Sequence, residues 1–218
     1  MNLHGLDAII FDFDGVLVES VNIKTQAFAS LYADHGEKVV AQVEGYHLRH
    51  GGESRFEKFR YFQTEILGGP PLDDREVSDL AGLFSKLVVD KVVSAPMVTG
   101  AQEFLDRCQD RLAMYIVSGT PTSELDEILQ RRNLRQYFEG IRGSPGTKAE
   151  HISELLVEYS IDASRCVMIG DAIADHKGAM SNRLKFLGRV AENGKNPFPD
   201  DVIAFEDFSC LPDTWCKA

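Results

Sequence analysis

The sequence predicts an α/β protein: a doubly wound, Rossmann-like parallel sheet whose first strand is followed by an all-helical insertion. Three observations carry this. Residues 8–11, 112–117 and 166–169 are short, unbroken apolar runs, the pattern of strands buried on both faces of a parallel sheet. Segments with apolar residues at helical spacing lie between them. From Ser20 to about Val92 the alternation stops, and only helical patterns occur.

Residues 138–141 and 185–187 are weaker strand candidates. Thr99 with Gln102 predicts a capping box opening a helix on Ala101, Phe104, Leu105 and Cys108. Thr147 with Glu150 predicts a second, with Ile152, Leu155, Leu156 and Tyr159 as its apolar face. Pro121 suits the first turn of a third helix, with Leu125, Ile128 and Leu129 facing inward. Within the insertion, Ile23, Ala27 and Leu31 share one helical face, and Leu80, Leu83, Phe84, Leu87 and Val88 another. Gly68-Gly69-Pro70-Pro71 breaks the helices between them. The expected division is a catalytic core of residues 1–18 and 93–218 with a helical cap at 19–92.

With 218 residues, 44% hydrophobic and 26% charged, the chain has ordinary globular composition and needs no disulfide or metal staple to bury a core. A formal charge of −11 argues against nucleic acid or an anionic membrane as partner, since both are negative. The N-terminus lacks the basic-then-apolar pattern of a signal peptide, and no apolar run nears the roughly 18 residues needed to span a bilayer. Cytoplasmic location is the expectation. Cys108 and Cys166 read as small core residues; a bridge between Cys210 and Cys216 is disfavoured in a cytosolic chain. Phe56, Phe59, Phe62 and Ile66 lie among basic residues, but their helical spacing predicts cap packing rather than a nucleic-acid face. His47 and His50 sit one turn apart without a third metal ligand and read as exposed cap residues.

Ligands of doubly wound sheets bind beyond the carboxyl ends of the strands. Asp12-Phe13-Asp14-Gly15 follows the first apolar run, Ser118-Gly119-Thr120 the second, and Gly170-Asp171 with Asp175 the third. Alternation along a strand sends Asp12 and Asp14 to one face, about 6 to 7 Å apart. Four carboxylates in one crevice would raise one another's pKa, and an anionic substrate would worsen this. A hard divalent cation resolves the conflict, and Mg²⁺ suits a carboxylate and carbonyl donor set. Lys148, just after the Thr147 cap, adds positive charge. Ser118 and the Gly119 amide, at a helix N-terminus, offer donors to phosphate.

These motifs, in this order, resemble those of the haloacid dehalogenase-like hydrolases over roughly residues 7 to 190. The insertion after the first motif resembles the cap of the subgroup containing phosphoglycolate phosphatase and β-phosphoglucomutase. The resemblance implies Asp12 as nucleophile, Asp14 as general acid and base, and Ser118 and Lys148 as holders of the transferring phosphoryl group. It implies Mg²⁺ on Asp12, the Asp14 carbonyl and Asp171, with Asp175 a ligand or just behind the ligands. Gly52-Glu53-Ser54-Arg55 resembles the cap motif that holds the distal phosphate in the mutases, making Arg55 a substrate-binding candidate alongside Gly119 and Lys24. The chain departs from the pattern in three places. Ala149-Glu150, not a Pro-rich stretch, follows Lys148; Glu19 replaces the usual Asp; and Lys24 stands where the mutases carry His.

The function implied is a Mg²⁺-dependent phosphatase of a small phosphorylated metabolite, a sugar phosphate or phosphoglycolate-like acid, with a β-phosphoglucomutase-type phosphomutase as the alternative. Lys24 tilts the choice toward hydrolysis. Asp14 argues against dehalogenases and phosphonatases, which lack this second acid. The motif order and the insertion argue against a phospho-accepting receiver domain.

Overall fold

β1 (Ala8–Phe11) is apolar at all four positions because it lies at the centre of the sheet, with a buried face on either side. The computed structural model describes residues 5–192 and 194–211. Among them β2 (Ala113–Pro121), β3 (Gly140–Ser144), β4 (Cys166–Gly170), β5 (Lys185–Arg189) and β6 (Ala204–Phe205) join β1 in the order β3-β2-β1-β4-β5-β6. Every pairing is parallel. Phe11 is level with Ile116 of β2 and Ile169 of β4, so the three strands end together. The chain steps outward from β1 to β2 and β3, then returns to the other side of β1 at β4. This reversal opens the crevice in which such sheets bind ligands.

Strand alternation divides the core into two layers. Ile9, Phe11, Ile116, Val167 and Ile169 face one side, packed against α5 (Ala101–Cys108) and α6 (Thr122–Arg131). Ala8, Ile10, Tyr115, Val117 and Met168 face the other, against α7 (Lys148–Glu158) and α8 (Ile173–Ser181). Between β1 and α5 run α1 (Val21–Leu31), α2 (Glu37–Arg49), α3 (Arg55–Tyr61) and α4 (Asp74–Ser94), with no strand among them. The outgoing and returning chains meet at a short antiparallel bridge between Val18 and Met97, flanked by Val98 N–H donating to the Leu17 carbonyl at 3.0 Å. Phe28, Phe59, Phe62 and Phe84 form the aromatic centre of this helical segment.

Several local expectations are corrected. The Thr147–Glu150 capping box forms, but the Thr99–Gln102 box does not. The residue preceding α5 is Gly100, held at φ 74°, and a Cβ there would lie 2.8 Å from the Ser209 amide. Packing of the 208–210 turn has displaced the cap. The buried stripe of α4 is Val77, Ala81, Phe84, Val88 and Val92, while Leu83 is exposed. β2 continues through Ser118–Thr120 to Pro121, so α6 begins only at Thr122. Strands predicted at 138–141 and 185–187 lie at Gly140–Ser144 and Lys185–Arg189.

Cys108 and Cys166 are both buried, but only Cys166 of the two is a free thiol; Cys108 is disulfide-bonded. Cys210 is free and exposed, so it makes no bridge to Cys216, which lies outside the described residues. Among the described residues, no helix is long and apolar enough to cross a membrane.

Candidate active site

Asp12 leaves the end of β1 buried, its amide still bonded to the Ile169 carbonyl at 2.9 Å. One carboxylate oxygen accepts from the Phe13 amide at 2.7 Å, and the other lies 2.9 Å from Lys148 Nζ. Burial pushes the Asp12 carboxyl up to about 7; Lys148 opposes this, while Asp175 and Asp14 add to it. Phe13 turns into the core, as alternation requires. The chain then bends at Gly15, with φ 74°, where an added Cβ would fall 2.2 Å from an Asp171 oxygen. Only glycine lets the first motif approach β4 this closely.

Asp14 accepts from the Ser20 hydroxyl at 2.6 Å, from the Thr120 hydroxyl at 2.9 Å and from the Lys24 ammonium. Lys24 also donates to Thr120 Oγ1 at 2.6 Å. Burial by itself would raise the Asp14 carboxyl, but Lys24 and the two hydroxyls outweigh it and hold the group below its ordinary range. Lys24 therefore sits on Asp14, at the carboxyl end of the central strands. Neither Ser20 nor Thr120 carried a sequence signal for this role beyond proximity to a motif.

Lys148 reaches this cluster because the Thr147 cap starts α7 there, and its ammonium bridges Asp12 and Asp175. Those two carboxylates raise its pKa against the opposing effect of burial. Asp175, in the first turn of α8, has both oxygens engaged: one by Lys148, the other by the Ala172 amide at 3.0 Å. Asp171 has one oxygen close to those of Asp12 and Asp175, all within 4.8 Å of one another. Burial and these two neighbours hold its carboxyl well above the usual carboxylate range.

Ser118 and Gly119 occupy a register shift between β2 and β3, which falls between Val117 and Pro121. The Ser118 hydroxyl accepts from the Thr120 amide at 3.1 Å, leaving its own proton free to donate. Gly119 is in extended backbone, not at a helix N-terminus as the sequence implied. A Cβ there would lie 2.9 Å from the Gly52 carbonyl, so the helical segment closes directly over the strand end.

Arg55 lines the same crevice but already has a partner. Its guanidinium is closed on Glu124 of α6 by two hydrogen bonds of 2.8 and 2.5 Å, with a third to Ser85. Its charge is already matched. His47 is buried rather than exposed, and His50 stacks on Tyr46 and bonds to Glu53. Phe59 and Phe62 are core residues of the helical segment, as their spacing predicted.

A cavity of about 380 Å³ joins these groups, and Asp12, Asp14, Lys24, Gly119, Asp171, His47 and Lys58 all line it. It suits a small metabolite. The site is a cluster of carboxylates held by two lysines at the switch point of a parallel sheet. The residues 6–180 match the model of the haloacid dehalogenase-like hydrolases, and the chain belongs to that family.

Two relatives align with it. Phosphoglycolate phosphatase from Psychrobacter arcticus is 28% identical across 96% of each chain. Protein CbbY from Rhodobacter capsulatus is 31% identical over 57% of this chain, an alignment spanning about half of that relative's length (55%). Among solved structures, CbbY from Rhodobacter sphaeroides in complex with xylulose-(1,5)bisphosphate superposes with a TM-score of 0.77 at 16% identity, covering 94% of this chain and 96% of that one.

Proposed function

We propose that this hydrolase is a Mg²⁺-dependent phosphatase acting on a small phosphorylated metabolite, a sugar phosphate or a phosphoglycolate-like acid. The observation that carries the reading is the position of Asp12: buried at the strand end, held by Lys148, beside Asp171 and two residues before Asp14. In this reading one Asp12 oxygen attacks phosphorus, and the bond from phosphorus to the substrate oxygen breaks. Asp14 gives the leaving oxygen its proton; the incoming phosphate's negative charge favours the protonated form that this step needs. Water then attacks the aspartyl-phosphate, with Asp14 taking its proton, and inorganic phosphate leaves. Lys148 and the Ser118 hydroxyl steady the phosphoryl oxygens. The helical segment, residues 19–92, serves as a cap that shuts water out and faces the substrate's remote end.

The donor set fits a hard divalent ion. Four carboxylates face two ammonium groups, Lys24 and Lys148, and the crowding still shows: Asp175 and Asp14 help to raise the Asp12 carboxyl, and Asp12 and Asp175 that of Asp171. Asp12, Asp171 and the Asp14 carbonyl would hold Mg²⁺, with Asp175 behind them because both its oxygens are engaged. When bound, the ion neutralises this cluster and the phosphoryl oxygens. Arg55, closed on Glu124, is not free to grip a distal phosphate, which favours hydrolysis over a mutase. The test is phosphate release across a panel of phosphorylated metabolites with Mg²⁺, run beside Asp12→Asn. Release that depends on Asp12 supports the proposal; label retained on the organic product, or release equal in the variant, overturns it.

A further inference from the structure

The wall of the cavity that α2 and α3 supply carries a buried lysine with no ion-pair partner among the described residues. Lys58 on α3 is 2% exposed, and its Nζ makes one hydrogen bond, 2.9 Å long, to His47 Nδ1 on α2. Among the described residues no carboxylate lies within ion-pair distance of it. Glu53, the acid with the most influence on it, is engaged by His50 at 2.9 Å and by the Tyr46 hydroxyl at 3.4 Å. His47 is itself buried and kept neutral, chiefly by burial, with a pKa lowered to about 3. Its Nδ1 therefore accepts from Lys58. The walls around the pair are aromatic: the Phe28 ring centroid lies 5.9 Å from Lys58 Nζ and 4.9 Å from that of His47.

Burying an unpaired cation is expensive, so an anion that enters beside it and restores a charge pair is favoured there. Lys58 and His47 line the same cavity as Asp12, Asp14 and Asp171. Arg55, the other cation on α3 that lines it, is already neutralised by Glu124. We infer that Lys58, oriented by His47, is the subsite for a single negative charge, a carboxylate, at the end of the substrate remote from the transferred phosphoryl group. One ammonium flanked by a neutral imidazole matches a monoanion better than a second phosphate dianion. This deepens the phosphatase reading and rests on it.

Binding, rather than turnover, gives the cleanest test. Asp12→Asn protein with Mg²⁺ is titrated calorimetrically with 2-phosphoglycolate, with ethyl phosphate, which has a methyl in place of the carboxylate, and with ethane-1,2-diol bisphosphate. Phosphoglycolate binds about ten- to a hundredfold more tightly than ethyl phosphate, the range expected for one charged hydrogen-bonded contact. Adding Lys58→Met brings that ratio close to one, and Lys58→Arg restores most of it.

Near pH 8 phosphoglycolate binding takes up a proton and ethyl phosphate binding takes up less, because the anion recharges Lys58. This second readout needs no Lys58 variant to fold. Glu53, Lys24, Lys148 and Asp14 also influence Lys58, but they are common to both titrations. A ratio near one, a ratio that survives Lys58→Met, equal proton uptake or a preference for the bisphosphate overturns the assignment. Binding of none of the three sinks the phosphatase reading together with it, whereas loss of the preference alone leaves that reading intact.

Discussion

Arg55 on α3 and Glu124 on α6 form a two-pronged ion pair, with side chains 4% and 7% exposed. It ties the helical segment to the core beside the cavity, with Ser85 of α4 donating to the same carboxylate and the Phe84 ring 4.6 Å from the guanidinium carbon. A pair this enclosed is weak evidence for added stability over an apolar replacement, but removing one member strands the other's charge.

Arg55→Met should therefore destabilise the protein by about 3 to 5 kcal/mol. In a chain of this size that lowers the melting temperature by roughly 10 °C. Arg55→Met combined with Glu124→Leu should recover much of the loss, because no uncompensated charge remains. Thermal melts of the three proteins decide it. An unchanged melt in Arg55→Met, with weaker binding of anionic substrates, would return Arg55 to the substrate site.

Chelation supplies the second prediction. Excess EDTA should abolish phosphate release, and added Mg²⁺ should restore it. Mg²⁺ should also raise the melting temperature by mass action, since the unfolded chain offers no assembled site. Asp171→Asn should shrink that shift. Full activity in EDTA would contradict the charge balance inferred for the four carboxylates.

The sheet and its reacting edge were legible because their signals are local. An unbroken apolar run means a strand buried on both faces, and β1, β2 and β4 each showed one. The Thr147–Glu150 box fixed where Lys148 emerges, since a capping box spans only four residues. Contacts made across the fold were hidden. Nothing near Arg55 announces Glu124, which lies 69 positions later, and nothing near Asp14 announces Thr120, 106 positions on. His47 reads as an exposed residue from the sequence because periodicity reports on apolar spacing and says nothing of a polar pair, His47 with Lys58, enclosed beside Phe28. The lost Thr99 cap belongs here too, displaced by a turn more than a hundred residues downstream.

Asp14→Asn should slow alkyl phosphates far more than p-nitrophenyl phosphate in the first chemical step. Nitrophenolate leaves without a proton, whereas an alkoxide needs one, and general acid assistance contributes about 10²- to 10⁴-fold. Rapid-quench measurement of the first turnover isolates this step from hydrolysis of the aspartyl-phosphate, which loses its base with either substrate. Equal losses in the first turnover would remove Asp14 from the acid role.

Lys58 makes stability depend on pH in a direction opposite to a salt-bridged lysine. Burial lowers its pKa from 10.5 to about 7, with Lys24 and Lys148 adding to the effect and Glu53 opposing it. Between about pH 7 and 10.5 the unfolded chain then holds a proton on this side chain that the folded chain has released. Stability rises with pH wherever the unfolded state binds more protons. The cost of Lys58 is thus fully felt below about pH 7 and is relieved as pH climbs toward 10, by up to ~1.4 kcal/mol per pH unit. Urea denaturation at pH 6, 7, 8 and 9 should show Lys58→Met more stable than the parent at the low end, with the difference shrinking upward. The difference between the two proteins cancels the titrating groups that Lys58 does not touch, and His47, whose pKa Lys58 also lowers, is held down chiefly by burial. A difference independent of pH would mean that Lys58 keeps its proton throughout, with a partner the fold does not display.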